Sequence, residues 1–526
     1  MTHHVQHPGT RVDHVVTPAT LDDALQLMSQ PGTRAVAGGT DLLVELDRGG
    51  RTEVQTLVDL TRIPGLDTIT ESDGDITLGP LVTHNQVVAD ELLRAKAVPL
   101  VQACWEVGSP QLRNRATLAG NIVTASPAND TLSPLIAMDA TVTLTSVRGS
   151  RTMLLSQFHR GVRKTAIEPD ELLTAITFPA LGEELDGVYL KLGLRRAQAI
   201  SVVHLAVVCR LSRAQPRRGT IGRTRPQRGG SRPLRDGGLR IEEARIALGS
   251  VGPTIVRAVE AERLLDGSPF DDEIISAAAN AAAAAISPID DHRAPAAYRR
   301  DLVAEMVGRA LAAIHDGTGV VPEDPALLWG RSDGRWSSWN DNGVEHADDS
   351  PIVAVVNGEP VAEVGAGDTL LDWLRETGNI GVKEGCAEGE CGSCTVQMDQ
   401  MAVLSCLIPA TRAHGATITT IEGLAATAEV SEESSNADGA SDGPQLHPLQ
   451  SAFMATGAVQ CGFCIPGLLM SGATLLDEHP APSDGQIKAG LSGNLCRCTG
   501  YYKVEDAVRV ALRSAADRGG TGEPGQ

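Results

Sequence analysis

The sequence predicts a multidomain α+β protein, and three observations carry that expectation. The chain has 526 residues, more than a single hydrophobic core usually organises. Residues 1–315 mix helical and strand patterns without the regular βαβ alternation of a doubly wound sheet. Residues 351–424 then read as a small strand-rich domain, and residues 446–513 as helical.

Composition narrows the function classes. The formal charge is −21 and aromatic residues make up 3% of the chain. Both argue against a nucleic-acid binder, which needs basic surface and stacking platforms; the charge is read as solubility. No stretch reaches the ~18 apolar residues of a membrane span. The start, "MTHHVQHPGT", lacks the basic-then-apolar layout of a secretory signal. A cytoplasmic location is therefore expected, and disulfides are rare there. Ten cysteines need another explanation, and eight of them lie beyond residue 385. Such clustering points to metal. Cys104 and Cys209 stand in apolar surroundings and read as inert core residues.

In chain order, Thr20 with Asp23 resembles a capping box opening the helix "TLDDALQLMSQ". "RAVAGG" reads as a strand ending in a glycine turn, and "DATVTLTSV" and "ARIALGSV" as strands. "DDEIISAAANAAAAAI" reads as a helix. An Arg-, Gly- and Pro-rich insertion at 212–238 has no hydrophobic period and reads as a solvated loop, the alternative being a basic docking arm. Residues 316–350 read as an interdomain linker whose Trp residues dock on a neighbour. Residues 425–445 are acidic and Ser-rich, the composition of a disordered insertion, and 514–526 read as a tail. No period of 20–50 residues marks a repeat array.

"PIVAVVNGEPVAEVGAGDTLLDWLRETG" reads strand, turn, strand, helix, with Asn357-Gly358 as the hairpin turn. Cys386, Cys391, Cys394 and Cys406 follow, in the C-x4-C-x2-C…C spacing of plant-type 2Fe–2S proteins. A cluster bound by thiolates is anionic and favours a loop that wraps it in N–H donors. Gly385, Gly389 and Gly392 suit such a loop. Zinc takes the same ligands, but its ribbons and fingers usually offer two short Cys pairs. The second set, Cys461-x2-Cys464 and Cys496-x-Cys498, lies between helical patterns. By itself it fits iron–sulfur and zinc equally.

"CAEGECGSCTV", "AVQCGFCIPG" and "LSGNLCRCTGY" together resemble the iron–sulfur part of the molybdenum hydroxylases, the xanthine dehydrogenase family, over about Pro351 to Arg513. "AVAGGTDLL", "TLAGNIVTASPANDTLSPLIAMDA" and "YLKLGLRRAQAIS" resemble that family's FAD-binding segments, and "ARIALGSVGPTIVRAVEAERLL" the C-terminal part of its flavoprotein module. The resemblance implies a two-part flavoprotein module in residues 1–315 (PCMH-type at about 14–180, C-terminal α+β at about 181–315). A β-grasp ferredoxin domain at 351–424 and an all-α cluster domain at 446–513 would follow. It implies FAD held by Ala37, Gly38, Gly39, Thr40, Asp41, Leu42, Thr117, Gly120, Asn121, Asp130 and Lys191. Two 2Fe–2S clusters would sit on the eight cysteines, the second set included. Gln460 and Cys498 match positions that touch the pterin in that family. Three features depart from its pattern. Ala119 stands where Gly-Gly is common, the Arg-rich insertion interrupts the flavin module, and the flavin module precedes the clusters.

As a function, the resemblance implies an electron-transfer subunit without a molybdenum site of its own. A partner chain would bind molybdopterin and hydroxylate a substrate. Electrons would pass through both clusters to FAD and on to NAD, oxygen or another acceptor. Purines head the substrate expectations, with aldehydes, carbon monoxide and N-heterocycles open. Complexes of the family are often dimers of the complete set. The alternatives are a self-contained flavin diaphorase and a zinc-binding interaction protein.

Overall fold

The computed structural model describes residues 12–182, 185–213, 238–318, 321–336, 343–347, 349–365, 367–427 and 446–519. Most of the Arg-rich insertion (214–237) and of the acidic one (428–445) falls outside them.

The chain starts with three short parallel strands, His14–Thr17, Thr33–Val36 and Thr56–Asp59, joined by the helices Leu21–Met28 and Leu42–Asp47. In this small βαβαβ unit, the helix Leu21–Met28 and the strand Thr33–Val36 are those read in "TLDDALQLMSQ" and "RAVAGG". The parallel pairing was not expected, and the four-residue strands His14–Thr17 and Thr56–Asp59 are too short to show as apolar runs. Thr20 caps the first helix by accepting from the Asp23 N–H at 3.1 Å, and its hydroxyl donates to the Asp23 carboxylate at 2.6 Å. The reciprocal bond of a capping box to the N-cap N–H is thus replaced by a side-chain pair.

An antiparallel sheet follows in the order Ile69–Ser72, Asp75–Leu78, Leu172–Pro179, Thr141–Ser146, Gly149–Leu154. Alternation along Thr141–Ser146 sends Val142 and Leu144 into a core shared with Ile76, Leu78, Ile176 and Phe178. Cys104 is buried in the same core, and burial pushes its thiol well up. Leu185–Gly193, Ser201–Arg213 and Leu239–Gly249 build the third sheet, covered by the helices Asp272–Ala284 and Ala296–Asp316. Arg213 pairs with Leu239, so the Arg-rich insertion connects two strands of one hairpin.

The described residues of 316–350, a stretch expected as a linker, are built into the fold. Ala326 and Leu328 are fully buried. The Leu327 and Leu328 N–H groups donate to the Glu478 carboxylate at 3.2 and 2.7 Å. The Leu327 and Leu328 carbonyls accept from Asn85 and Asn114 at 3.0 and 3.3 Å. Trp336 donates to the Leu81 carbonyl at 2.9 Å, as a docking Trp should. Val344–Ala347 adds an antiparallel edge strand to His14–Thr17. These partners lie far away in sequence, so no local pattern announced them.

The ferredoxin-like part is a mixed sheet, Glu359–Glu363, Ile352–Val356, Thr417–Thr419, Thr395–Met398, Met401–Leu404, with the helix Leu370–Glu376 packed on it through the buried Trp373. Asn357 and Gly358 have φ of 54° and 88°, the pair of positive values a type I′ hairpin turn requires. The last part is helical: Pro448–Thr456, Ile465–Glu478, Asp484–Leu491 and Tyr502–Gly519 around Leu449, Phe453, Leu468 and Val508. The final helix runs past residue 513, where a tail was expected to begin. Among the described residues, no helix is long and apolar enough to cross a membrane.

Candidate functional site

The strand Thr33–Val36 ends in the turn Ala37–Thr40, which opens the helix Leu42–Asp47. A Cβ on Gly38 would lie 2.4 Å from the Arg115 carbonyl, so only glycine lets the turn lie against that backbone. The second segment is the helix Leu118–Thr124, capped by Thr117, whose Oγ1 accepts from the Gly120 N–H at 3.0 Å. Between them lies a cavity of about 440 Å³. Ala37, Gly38, Gly39, Thr40, Asp41, Leu42, Thr117, Gly120, Asn121 and Asp130 all line it. Among the described residues, no acceptor takes the N–H of Gly38, Gly39 or Thr40. Free main-chain donors in a concave turn suit a pyrophosphate, so the residues present fit FAD.

Lys191 is the exception. It does not line the cavity but lies behind it, donating to Asp130 Oδ2 at 2.7 Å and to the Glu106 carbonyl at 2.9 Å. Tyr189 donates to the other Asp130 oxygen at 2.7 Å. Burial raises the Asp130 carboxyl pKa, and the Lys191 ammonium opposes the rise. Lys191 therefore supports Asp130 and does not itself meet a phosphate or a flavin ring in this geometry. Ala119 packs into the core with Leu118 and Ile122 and is not a wall of the cavity, so its methyl leaves the lining unchanged.

The first cysteine loop folds around sulfur. The N–H groups of Glu388, Glu390 and Cys391 point at Cys386 Sγ at 3.4, 3.2 and 3.3 Å. Gly389 and Gly392 take φ of 76° and 72°, and a Cβ on Gly385 would lie 2.6 Å from Cys391 Sγ. Among the described residues, no three His, Cys, Asp or Glu side chains are grouped to hold one metal ion. The thiols instead meet in couples: Cys386 with Cys391, Cys394 with Cys406, Cys464 with Cys496, Cys461 with Cys498. Two couples side by side suit two irons bridged by sulfide, each iron taking two thiolates. A single zinc needs four ligands about one centre. The Cys386 thiol, donating to Cys391, draws the Cys391 pKa down to about 6. In the second set, Thr499 donates to Cys496 Sγ from its N–H at 3.3 Å and its hydroxyl at 3.1 Å.

The three sites touch. Cys391 accepts through its carbonyl from the Leu495 N–H at 2.9 Å, next to Cys496. Asn494 donates to the Gly392 carbonyl at 3.0 Å and accepts from Gln111 of the flavin module at 2.9 Å. On the other side, Glu388, Gly389 and Glu390 of the cysteine loop form part of the flavin cavity wall. Sequence reasoning missed these three, because nothing local marks a cysteine loop as a flavin contact.

Comparisons with known proteins agree with this layout. Residues 10–181 match the FAD binding domain in molybdopterin dehydrogenase, and 188–314 the CO dehydrogenase flavoprotein C-terminal domain. Residues 354–415 match the 2Fe-2S iron-sulfur cluster binding domain, and 420–509 a 2Fe-2S binding domain. Over 149 residues the chain is 46% identical to the nicotinate dehydrogenase small FeS subunit of Eubacterium barkeri, covering 28% of this chain and 85% of that one. The chain belongs to the molybdenum hydroxylase family. The flavin half of this molybdenum hydroxylase chain is 29% identical over 297 residues to a putative xanthine dehydrogenase FAD-binding subunit of Escherichia coli K12, covering 56% and 93%. The solved structure of carbon monoxide dehydrogenase from Hydrogenophaga pseudoflava superposes with a TM-score of 0.51 at 29% identity, covering 59% of this chain and 98% of that one. The chain is thus an oxidoreductase component with an FAD-binding module followed by two 2Fe–2S modules. At its far end Gln460, Cys461 and Cys498 are exposed, beside the exposed apolar side chains of Val459, Phe463, Leu495 and Tyr502.

Proposed function

We propose that this chain is the electron-transfer subunit of a molybdenum hydroxylase whose molybdopterin is held by a partner chain. FAD and the two clusters, when bound, supply one- and two-electron chemistry that no side chain here can. Cys461, Cys464, Cys496 and Cys498 would hold the cluster nearest the partner, and Cys386, Cys391, Cys394 and Cys406 the cluster nearest FAD. The observation that carries the order is the chain of contacts from Cys496 through Leu495 to the Cys391 carbonyl, then through Glu388–Glu390 to the flavin cavity. The protein's part is to fix these positions and to aim N–H donors at sulfur, which sets potential. The exposed apolar residues around Cys461 and Cys498 would be covered by the partner, with Gln460 facing its pterin.

For the substrate we infer an aromatic N-heterocycle, a purine or a pyridine. The relatives named for nicotinate and nicotine are 46% and 42% identical over 28–30% of the chain, against 36–38% for aldehyde oxidases over a stretch of similar length. The acceptor is read as NAD or a similar carrier. The test is metal, sulfide and flavin analysis of the purified chain with its visible spectrum. Iron and labile sulfide for two 2Fe–2S clusters, one FAD and no molybdenum are expected. Zinc in place of iron in anaerobically prepared protein would overturn the reading. One FAD with iron and sulfide for a single cluster would favour the diaphorase.

A further inference from the structure

The ferredoxin module reaches into the flavin module through Arg412, on the short turn Ala410–Ala413. The Arg412 side chain is 4% exposed, and its fork grips Asp59, with Nε 2.7 Å from Oδ2 and Nη2 3.0 Å from Oδ1. The same guanidinium donates to the Gly38 carbonyl at 3.3 Å and to the Ala37 carbonyl. Asp59 ends the strand paired with the one that ends at Val36, so Arg412 closes the carboxyl ends of two neighbouring strands. Four acceptors in fixed directions match a planar fork, which a lysine ammonium cannot reproduce. Trp336 covers the group, its ring centroid 5.6 Å from the Arg412 guanidinium and 4.8 Å from that of Arg115. Gly39 meets the same module, since a Cβ there would lie 3.2 Å from the carbonyl of Leu407, the residue after Cys406.

Peptide geometry gives these bonds a consequence. In a trans peptide the C=O and the following N–H point in opposite directions, and no cis peptide occurs among the described residues. Holding the Ala37 carbonyl therefore turns the Gly38 N–H away from Arg412. Holding the Gly38 carbonyl does the same for Gly39. Both glycines line the cavity and neither N–H has an acceptor among the described residues. Donors fixed before the ligand arrives lose little on binding.

We propose that Arg412 is a positioning residue for FAD, holding the Ala37–Gly39 turn with its N–H groups free for the pyrophosphate, so that the ferredoxin module completes the flavin site. The proposal rests on the reading of the cavity as the FAD site. The test is fluorescence titration of FAD into the deflavinated full chain, with the two cluster EPR signals followed in parallel. Wild-type chain that takes up no FAD would sink the underlying reading. Given wild-type uptake, Arg412→Gln should raise the FAD dissociation constant at least about tenfold, roughly what losing one buried charge-assisted hydrogen bond costs, with both cluster signals at full intensity. Arg412→Lys, which keeps the charge for Asp59 but loses the fork, should fall between. Unchanged FAD affinity in both variants overturns the proposal. So does FAD loss that appears only together with loss of the ferredoxin-type cluster signal, since Arg412 would then act on folding alone.

Discussion

Replacing Gly392 by alanine tests how tightly the two cysteine loops must meet. Gly392 follows Cys391 and has φ of 72°, a left-handed conformation that costs alanine roughly 1–2 kcal/mol. The added Cβ would stand 2.1 Å from the Gly493 carbonyl oxygen and 2.7 Å from Asn494 Nδ2. A carbon–oxygen contact needs roughly 3.3 Å, so the backbones must part by more than about an ångström. That separation breaks two hydrogen bonds, Asn494 to the Gly392 carbonyl at 3.0 Å and Leu495 N–H to the Cys391 carbonyl at 2.9 Å. Each contributes about 1 kcal/mol, and the total comes to about 3–4 kcal/mol at the seam between the cluster modules. The chain has several modules, so the effect should appear as an earlier first transition in calorimetry, without a uniform shift. EPR supplies the second readout. Dipolar broadening between two reduced clusters falls with the cube of their separation and should narrow in Gly392→Ala while both signals persist. An unchanged first transition together with unchanged broadening would refute the argument that this contact sets the spacing.

Other outcomes follow from the same geometry. Cys498→Ser should abolish the cluster signal of the helical module and leave FAD near one per chain; simultaneous flavin loss would show that the modules do not fold independently. Asn494→Ala removes a buried group that bonds Gly392, Gln111 and Ser471, and should cost about 3 kcal/mol, read by denaturant titration against a Ser492→Ala control. His84 and His204 are fully buried and held neutral, their pKa values pushed down to about 3 by desolvation, helped by Arg113 at His84. Above pH 6.5 both are neutral folded and unfolded and contribute no pH dependence. Below it the unfolded chain takes up protons that the folded chain refuses, so stability falls with pH until about 3. From pH 7 to 5.5 the pair should cost about 2.5 kcal/mol, and His204→Gln should roughly halve that slope in thermal melts.

The elements that sequence reading found were those with a strong local period or turn. Asn357-Gly358 announced its hairpin because few other residue pairs take positive φ twice in succession. Thr141–Ser146 announced itself by alternation, and Asp272–Ala284 by its run of strong helix formers. Thr33–Val36 was legible through the glycine turn that ends it, while His14–Thr17 and Thr56–Asp59 escaped, since four residues without such a signal carry too little pattern. Val344–Ala347 escaped because an edge strand is made by its partner, and the partner is His14–Thr17. Lys191 was expected at the cofactor for its charge, yet the structure spends that charge on Asp130. Sequence names the charge but not its nearest neighbour.

What the sequence determined by itself is the ligand set of the first cluster, while the second cysteine set and the glycine turn took their cofactors from the family resemblance. Thiolate spacing and a glycine turn are local requirements, and metal clusters and pyrophosphates are bound by groups close together in the chain. The tertiary structure decided the connections: Glu388–Glu390 in the flavin wall, the Cys391–Leu495 bond between the cysteine loops, and Arg412 on the Ala37–Gly39 turn. Each joins residues of different modules, up to 375 positions apart for Arg412 and Ala37. Such contacts depend on how whole sheets and helices pack, and packing is settled by summed burial and shape across the molecule, which no short stretch of sequence contains.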